Sequence, residues 1–149
     1  MNVRAPDLLD RQLLHALERD SRISLRELGA LVKLSAPAVR DRLRRLEDDG
    51  VVARFTIELN AHALGFAMEA IVRIQPLPGR MREVEETIRA MPEVTACDVV
   101  TGDDCFIARL ALRSIEDLDT LLQPMHHLAR TSSSIVKRRL VSYRSVPLT

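Results

Sequence analysis

Four arginines within six residues, Arg40, Arg42, Arg44 and Arg45, stand in the segment Ser35-Ala-Pro-Ala-Val-Arg-Asp-Arg-Leu-Arg-Arg-Leu-Glu-Asp-Asp-Gly50. Guanidinium groups at that density can neutralise phosphates and pair with guanine edges, which is the chemistry of DNA recognition. The same segment carries the signals of a helix that would present them. Ser35 is a capping residue, Pro37 falls in the first turn where its missing N–H costs nothing, and Gly50 is a stop signal. At about 100° per residue, Val39, Leu43 and Leu46 share one face, while Pro37, Arg40, Asp41, Arg44 and Arg45 lie opposite or on its flanks. The spacing predicts a helix anchored on one side and cationic on the other.

A run of charge on a helix often marks only a solvated face. The residues just upstream favour the more specific reading. Ser24-x-x-Glu27 is a capping box, followed at helical spacing by Leu25, Leu28, Leu31 and Val32. A short helix over 25–33, a tight turn at Leu34-Ser35 and a second, arginine-rich helix make a helix-turn-helix whose second helix would enter the major groove. Its first turn comes nearest the bases, so Ser35, Ala36, Pro37, Ala38, Arg40 and Asp41 are the candidates for reading sequence. Arg44, Arg45 and, farther on, Arg54 are candidates for gripping phosphates. Arg42, on the flank, joins the DNA-binding set, with bracing of the fold as its alternative use.

Composition limits what else the chain could be. At 149 residues, 46% hydrophobic and 29% charged, it has the make-up of a soluble globular protein of one average domain or two small ones. Net charge is +1, and residues 1–60 hold 11 basic against 10 acidic side chains, so the cationic signal belongs to one helix and a wrapping polycation is excluded. No apolar run suits a membrane crossing, and the first residues lack the apolar core of a signal peptide, so a cytoplasmic location and no membrane partner are expected. Three Phe and one Tyr are too few for a base-stacking binder of RNA or single strands. His15, His62, His126 and His127 show no metal-ligand spacing and no carboxylate pair marks a cleft, so no catalysis, cofactor or metal is called for.

The elements that must position the arginine helix follow from periodicity. A first helix is expected over 7–19, capped by Asp7, with Leu9, Leu13, Ala16 and Leu17 inward. Val51 to Leu59 is rich in β-branched and aromatic residues and reads as a strand or hairpin, the wing of a winged helix, carrying Arg54. Residues 1–60 then form a winged helix-turn-helix domain, marginal alone because so small a unit buries only about 60% of its chain surface.

Residues 61–149 read as a second domain. Phe66 to Gln75 alternates as a strand, with Phe66, Met68, Ala70, Val72 and Ile74 on one side. Met81, Val84, Ile88 and Met91 make a helix before Pro92. Val94 to Thr101 and Cys105 to Leu112 flank Gly102-Asp103-Asp104 as an antiparallel hairpin. That turn sets Cys97 opposite Ala108, so no disulfide to Cys105 is expected. Ser114-x-x-Asp117 should cap a helix with Leu118, Leu121, Leu122, Met125 and Leu128 inward, and Ser134 to Ser145 should be the last strand. The order βαββαβ is ferredoxin-like, and the class is α+β. Its helices cover one sheet face. The other, with Ala67, Ile71 and Ile107, is expected to pair with a second copy, which would present two recognition helices to a pseudo-palindromic operator.

In order and at these spacings, Asp7-Leu-Leu-Asp10 with Leu13-Leu14, Leu34-Ser35, Arg42-Leu-Arg-Arg-Leu-Glu47, Gly50-Val51, Leu64-Gly65, Thr101-Gly102-Asp103 and Thr131-Ser-Ser-Ser-Ile-Val136 resemble the Lrp/AsnC family of bacterial regulators over nearly the whole chain. The resemblance implies a transcriptional regulator built on a homodimer that assembles further into tetramers, octamers or larger forms. It also implies a small-molecule effector, often an amino acid, held between dimers near Thr101, Gly102, Asp103 and Asp104, with contributions from Thr131 and Ser133. Turn N–H groups would hold a carboxylate, and Asp103 or Asp104 would hold an ammonium. The chain departs from the family pattern where Asp104 and Cys105 replace an aromatic residue and an aspartate. Sirohaem decarboxylases resemble the same architecture, but Cys97-Asp98-Val99-Val100-Thr101 lacks their histidine, tyrosine and arginine. A sensing or scaffold protein without DNA binding is the other alternative.

Overall fold

The computed structural model describes residues 5–148. They form two compact units, one running to Ile57 and including the chain from Tyr143, the other Glu58–Ser142. The division falls three residues before the expected boundary at 60, and it groups the end of the chain with the first unit.

The first unit holds three helices, α1 (Leu8–Arg19), α2 (Leu25–Val32) and α3 (Ala36–Asp48). Each begins where a polar side chain satisfies free N–H groups. Asp7 and Asp10 form a reciprocal capping box on α1, Ser24 and Glu27 another on α2, and the Ser35 hydroxyl accepts from Ala38 N–H on α3. Leu13, Leu28, Val32, Val39, Leu43 and Leu46 make the core, and Leu9, Leu14 and Leu17 pack against it half-buried. Leu31 departs from expectation: it is 61% exposed. The neighbouring turn instead buries Gly29, where a Cβ would stand 2.4 Å from the Leu34 carbonyl oxygen. That close approach sets the spacing of the two helices, and the Leu34 N–H donates to the Gly29 carbonyl at 2.9 Å.

The expected wing strand is absent. Val51 and Val52 pack on the helical core, with Val52 N–H donating to the Leu46 carbonyl, but residues 53–59 are exposed and join no ladder. The period-2 pattern of Phe55, Ile57 and Leu59 suits a strand, yet a strand needs a neighbour, and none pairs with that segment among the described residues.

In the second unit, β1 (Met68–Pro76), β2 (Val94–Val99), β3 (Phe106–Leu112) and β4 (Ala129–Ile135) make an antiparallel sheet in the order β2-β3-β1-β4, with α4 (Met81–Ala90) and α5 (Glu116–Leu122) between strands. This is the ferredoxin-like arrangement. Ala70, Val72 and Ile74 on β1 and Phe106, Ala108, Leu110 and Leu112 on β3 pack with Val84, Ile88, Leu118 and Leu122 in one core. Cys97 lies opposite Ala108, and both cysteines are free.

Two expectations here need correction. The last strand is not 134–145 but Ala129–Ile135: pairing with β1 runs from Pro76 opposite Ala129 to Ala70 opposite Ile135, and beyond it Val136 N–H adds a bond to the Glu69 carbonyl. Ser114 does not cap α5. The roles are reversed, with the Asp117 carboxylate accepting from the N–H groups of Arg113 and Ser114 at 3.0 Å each. Among the described residues, no helix is long and apolar enough to cross a membrane.

Candidate functional site

Helix α3 separates its residues by use. Val39, Leu43 and Leu46 are buried, and Ser35, Pro37, Arg40, Asp41, Arg44 and Arg45 are exposed. Ala36 and Ala38 are half-buried in the first turn, where small side chains leave backbone N–H groups accessible. Pro37 stands in that turn as expected. None of Arg40, Arg44, Arg45 or Arg54 is held by a carboxylate within 4 Å among the described residues, so their charge is available to a polyanion.

Arg42 differs from the other three. One of its terminal nitrogens, Nη1, donates to Asp7 Oδ2 and to Asp10 Oδ1, each at 2.7 Å. These two carboxylates are the same ones that cap α1, so a single guanidinium locks the start of α1 against the middle of α3. The pairing holds the Asp7 carboxyl down to about 2, first through the Arg42 hydrogen bond and then through the Asp10 N–H, and raises Arg42 above its ordinary value. Arg42 Nη1 is therefore engaged within the fold, the bracing use that its flank position allowed.

At the far side of the molecule's sequence, Thr101, Gly102 and Asp103 are exposed in the β2–β3 connection, and Asp104 is half-buried. Gly102 has φ +116°, a conformation that suits glycine, and the next residues turn sharply enough that Cys105 has φ +20°. Asp104 Oδ2 lies 3.5 Å from Arg73 Nε, so it is already paired. Arg73 was missing from the sequence-derived site. Its signal was its outward place on an alternating strand, but only the register Arg73–Ile107 brings it beside the turn.

Thr131 and Ser133, on β4, pair with Ile74 and Val72 of β1. Cross-strand partners share a face, so both belong to the side that carries the buried residues of β1, whereas Arg73 and its partner Ser132 belong to the open side. The six residues expected to hold an effector are thus not gathered on one face within a single chain. Cavities of about 270 and 120 Å³ in this unit are lined by other residues. On the open face, Glu69 joins Arg109 and Arg139, the latter at 2.7 Å, beside half-buried Ile71 and Ile107.

A capped helix-turn-helix with an exposed arginine face, followed by a ferredoxin-like domain, defines a DNA-binding transcriptional regulator with a separate sensing domain. The comparisons agree. The AsnC-type helix-turn-helix domain matches residues 7–47, and the Lrp/AsnC ligand binding domain matches residues 69–146. The chain belongs to the Lrp/AsnC family. It is 34% identical over 143 residues to the transcriptional regulator LrpA of Mycobacterium tuberculosis, covering 94% of this chain and 95% of that one. The structure of LrpC from Bacillus subtilis is similar with a TM-score of 0.85 at 26% identity, covering 92% of this chain and 98% of LrpC. The feast or famine regulatory protein of M. tuberculosis, solved with L-methionine, gives a TM-score of 0.86 at 33% identity, covering 95% and 99%. Such relatives are named as regulators rather than enzymes.

Proposed function

We propose that this regulator works in the cytoplasm as a homodimer, or a larger assembly of dimers, that sets two copies of α3 into a pseudo-palindromic operator. The observation that carries the reading is the division of α3, with Val39, Leu43 and Leu46 buried while Arg40, Arg44 and Arg45 face outward without a carboxylate partner among the described residues. Ser35 through Ala38, Arg40 and Asp41 read base edges, and Arg44, Arg45 and Arg54 hold phosphates. Pairing of two copies is supported by apolar groups that this chain leaves uncovered, including Phe55, Ile57 at 74% exposure and Leu59.

A small amphoteric molecule, an amino acid or a close relative, is the effector we assign to the Thr101–Asp104 turn. Its carboxylate meets turn N–H groups, and its ammonium takes Asp104 from Arg73. Thr131 and Ser133 contribute only if assembly brings another copy's edge to that turn, because within one chain they belong to the opposite sheet face. L-methionine in the related solved structure supports this ligand class.

Selection of bound duplexes from random double-stranded DNA tests the first part. The expected product is an inverted repeat with half-sites about one helical turn or a multiple apart. Affinity for it should fall by about 10³ to 10⁵ between about 50 and 200 mM salt if roughly 6 to 10 phosphates are contacted. Failure to enrich any sequence, or a flat salt response, would overturn the reading. For the sensor, L-methionine and other amino acids should change operator affinity in the wild type and lose that effect in Asp104→Ala.

A further inference from the structure

The 270 Å³ cavity lies where β3 ends and α5 begins, and it contains two opposite charges that do not meet. Glu93 lines it, and its Oε2 is shielded from solvent without any hydrogen-bond partner among the described residues. A carboxylate oxygen so placed is unfavourable unless something arrives to satisfy it. Arg113 lines the same cavity, with its guanidinium 4.6 Å over the Phe66 ring and no carboxylate within 4 Å among the described residues. Gly65 keeps that position open, since a Cβ there would stand 2.8 Å from Arg113 Nη1.

The other polar groups around the cavity are engaged. Asp117 Oδ2 holds two backbone N–H groups, which fixes the main chain of Arg113, and the Thr120 hydroxyl donates to the Glu116 carbonyl. Asp117 is thus anchored to the main chain, and Glu93 and Arg113 are the charged side chains of the lining with no hydrogen-bond partner among the described residues. Phe66, Ala111 and Leu121 supply apolar wall between them. The volume falls below the range of roughly 300 to 1,000 Å³ typical of drug-sized ligands, which fits a compact metabolite.

We propose that this cavity is a second small-molecule site, separate from the Thr101–Asp104 turn, and that it takes a compact zwitterion of the α-amino acid class. The ammonium donates to Glu93, and the carboxylate accepts from Arg113. A ligand with both charges satisfies both protein groups at once, whereas a simple anion or cation would leave one unspent.

The test is thermal melting of the full chain with each common L-α-amino acid alone at about 10 mM, in the wild type and in Glu93→Gln, Arg113→Gln and Asp104→Ala. At least one amino acid should raise Tm in the wild type and in Asp104→Ala. The affinity for it, measured by calorimetry, should fall on the order of tenfold or more in Glu93→Gln and in Arg113→Gln. Its amide and its deaminated acid should each bind as weakly as those variants do. Glu93→Gln keeps shape and removes an unpartnered charge, so its unliganded Tm should equal or exceed the wild type, which separates lost binding from lost folding. The proposal is overturned if no amino acid raises Tm, or if every response persists in Glu93→Gln and Arg113→Gln. A response abolished by Asp104→Ala alone would belong to the turn and leave the cavity without a ligand of this class.

Discussion

Arg42 and Asp10, 32 residues apart in sequence, are joined at 2.7 Å, and Asp10 is one of the least exposed charged groups in the helical unit. This pair converts one arginine of a recognition helix into a structural bolt. Arg42→Ala should therefore lower stability by about 1–3 kcal/mol, since it strands two capping carboxylates, one of them buried. Urea denaturation of the variant, with Arg44→Ala and Arg45→Ala as controls within about 0.5 kcal/mol of the wild type, measures this.

Arginines on the outer face should divide by role. Arg40→Ala should weaken binding by about 1–3 kcal/mol on the selected operator and relax preference at one position, while Arg44→Ala should weaken all duplexes alike and reduce the salt slope by about one. Anisotropy titrations on operator and scrambled DNA distinguish these outcomes. Equal losses on both DNAs from Arg40→Ala would contradict its assignment to base reading.

Acid should loosen the same helix junction. The Asp7 carboxyl is held down to about 2, against an ordinary value near 3.9. With the folded value depressed, the added stability is fully present above about pH 4 and is lost as pH falls towards 2. Because Asp7 is 38% exposed, solvent screening keeps the gain below about 1 kcal/mol. Asp7→Asn preserves the cap, so its stability gap to the wild type should close over that window. A gap that stays constant from about pH 5 to 2 would show that the Arg42 pair is not its origin.

Gly29→Ala should destabilise by about 1–3 kcal/mol despite alanine's higher helix propensity. The new methyl would press within 2.4 Å of a backbone oxygen, that of Leu34, and no side chain can rotate away to admit it. A Tm equal to or above the wild type would mean that the turn between α2 and α3 relaxes freely.

Local chemistry made much of this molecule readable. The caps at Asp7, Ser24 and Ser35 involve neighbours three residues away, and the hairpin turn sets the Cys97–Ala108 register by counting. What escaped was set at a distance. Nothing near Arg42 indicates two carboxylates on another helix, and Arg73 reaches Asp104 only through strand pairing. Leu31 has the right period for a core position but lies where no neighbouring element covers it. The β-rich stretch 129–145 has no internal mark of where pairing stops, because the pairing with β1 that defines the strand is made at a distance and ends at Ala70–Ile135. Residues 51–59 have strand composition without a partner, which pattern alone cannot reveal.

The segregation of α3 makes this helix an interchangeable reading head. Positions 39, 43 and 46 are buried and Arg42 is bound to the start of α1, while 35, 37, 40, 41, 44 and 45 are exposed. Grafting another regulator's outward residues onto α3 is expected to retarget operator preference without renegotiating the scaffold.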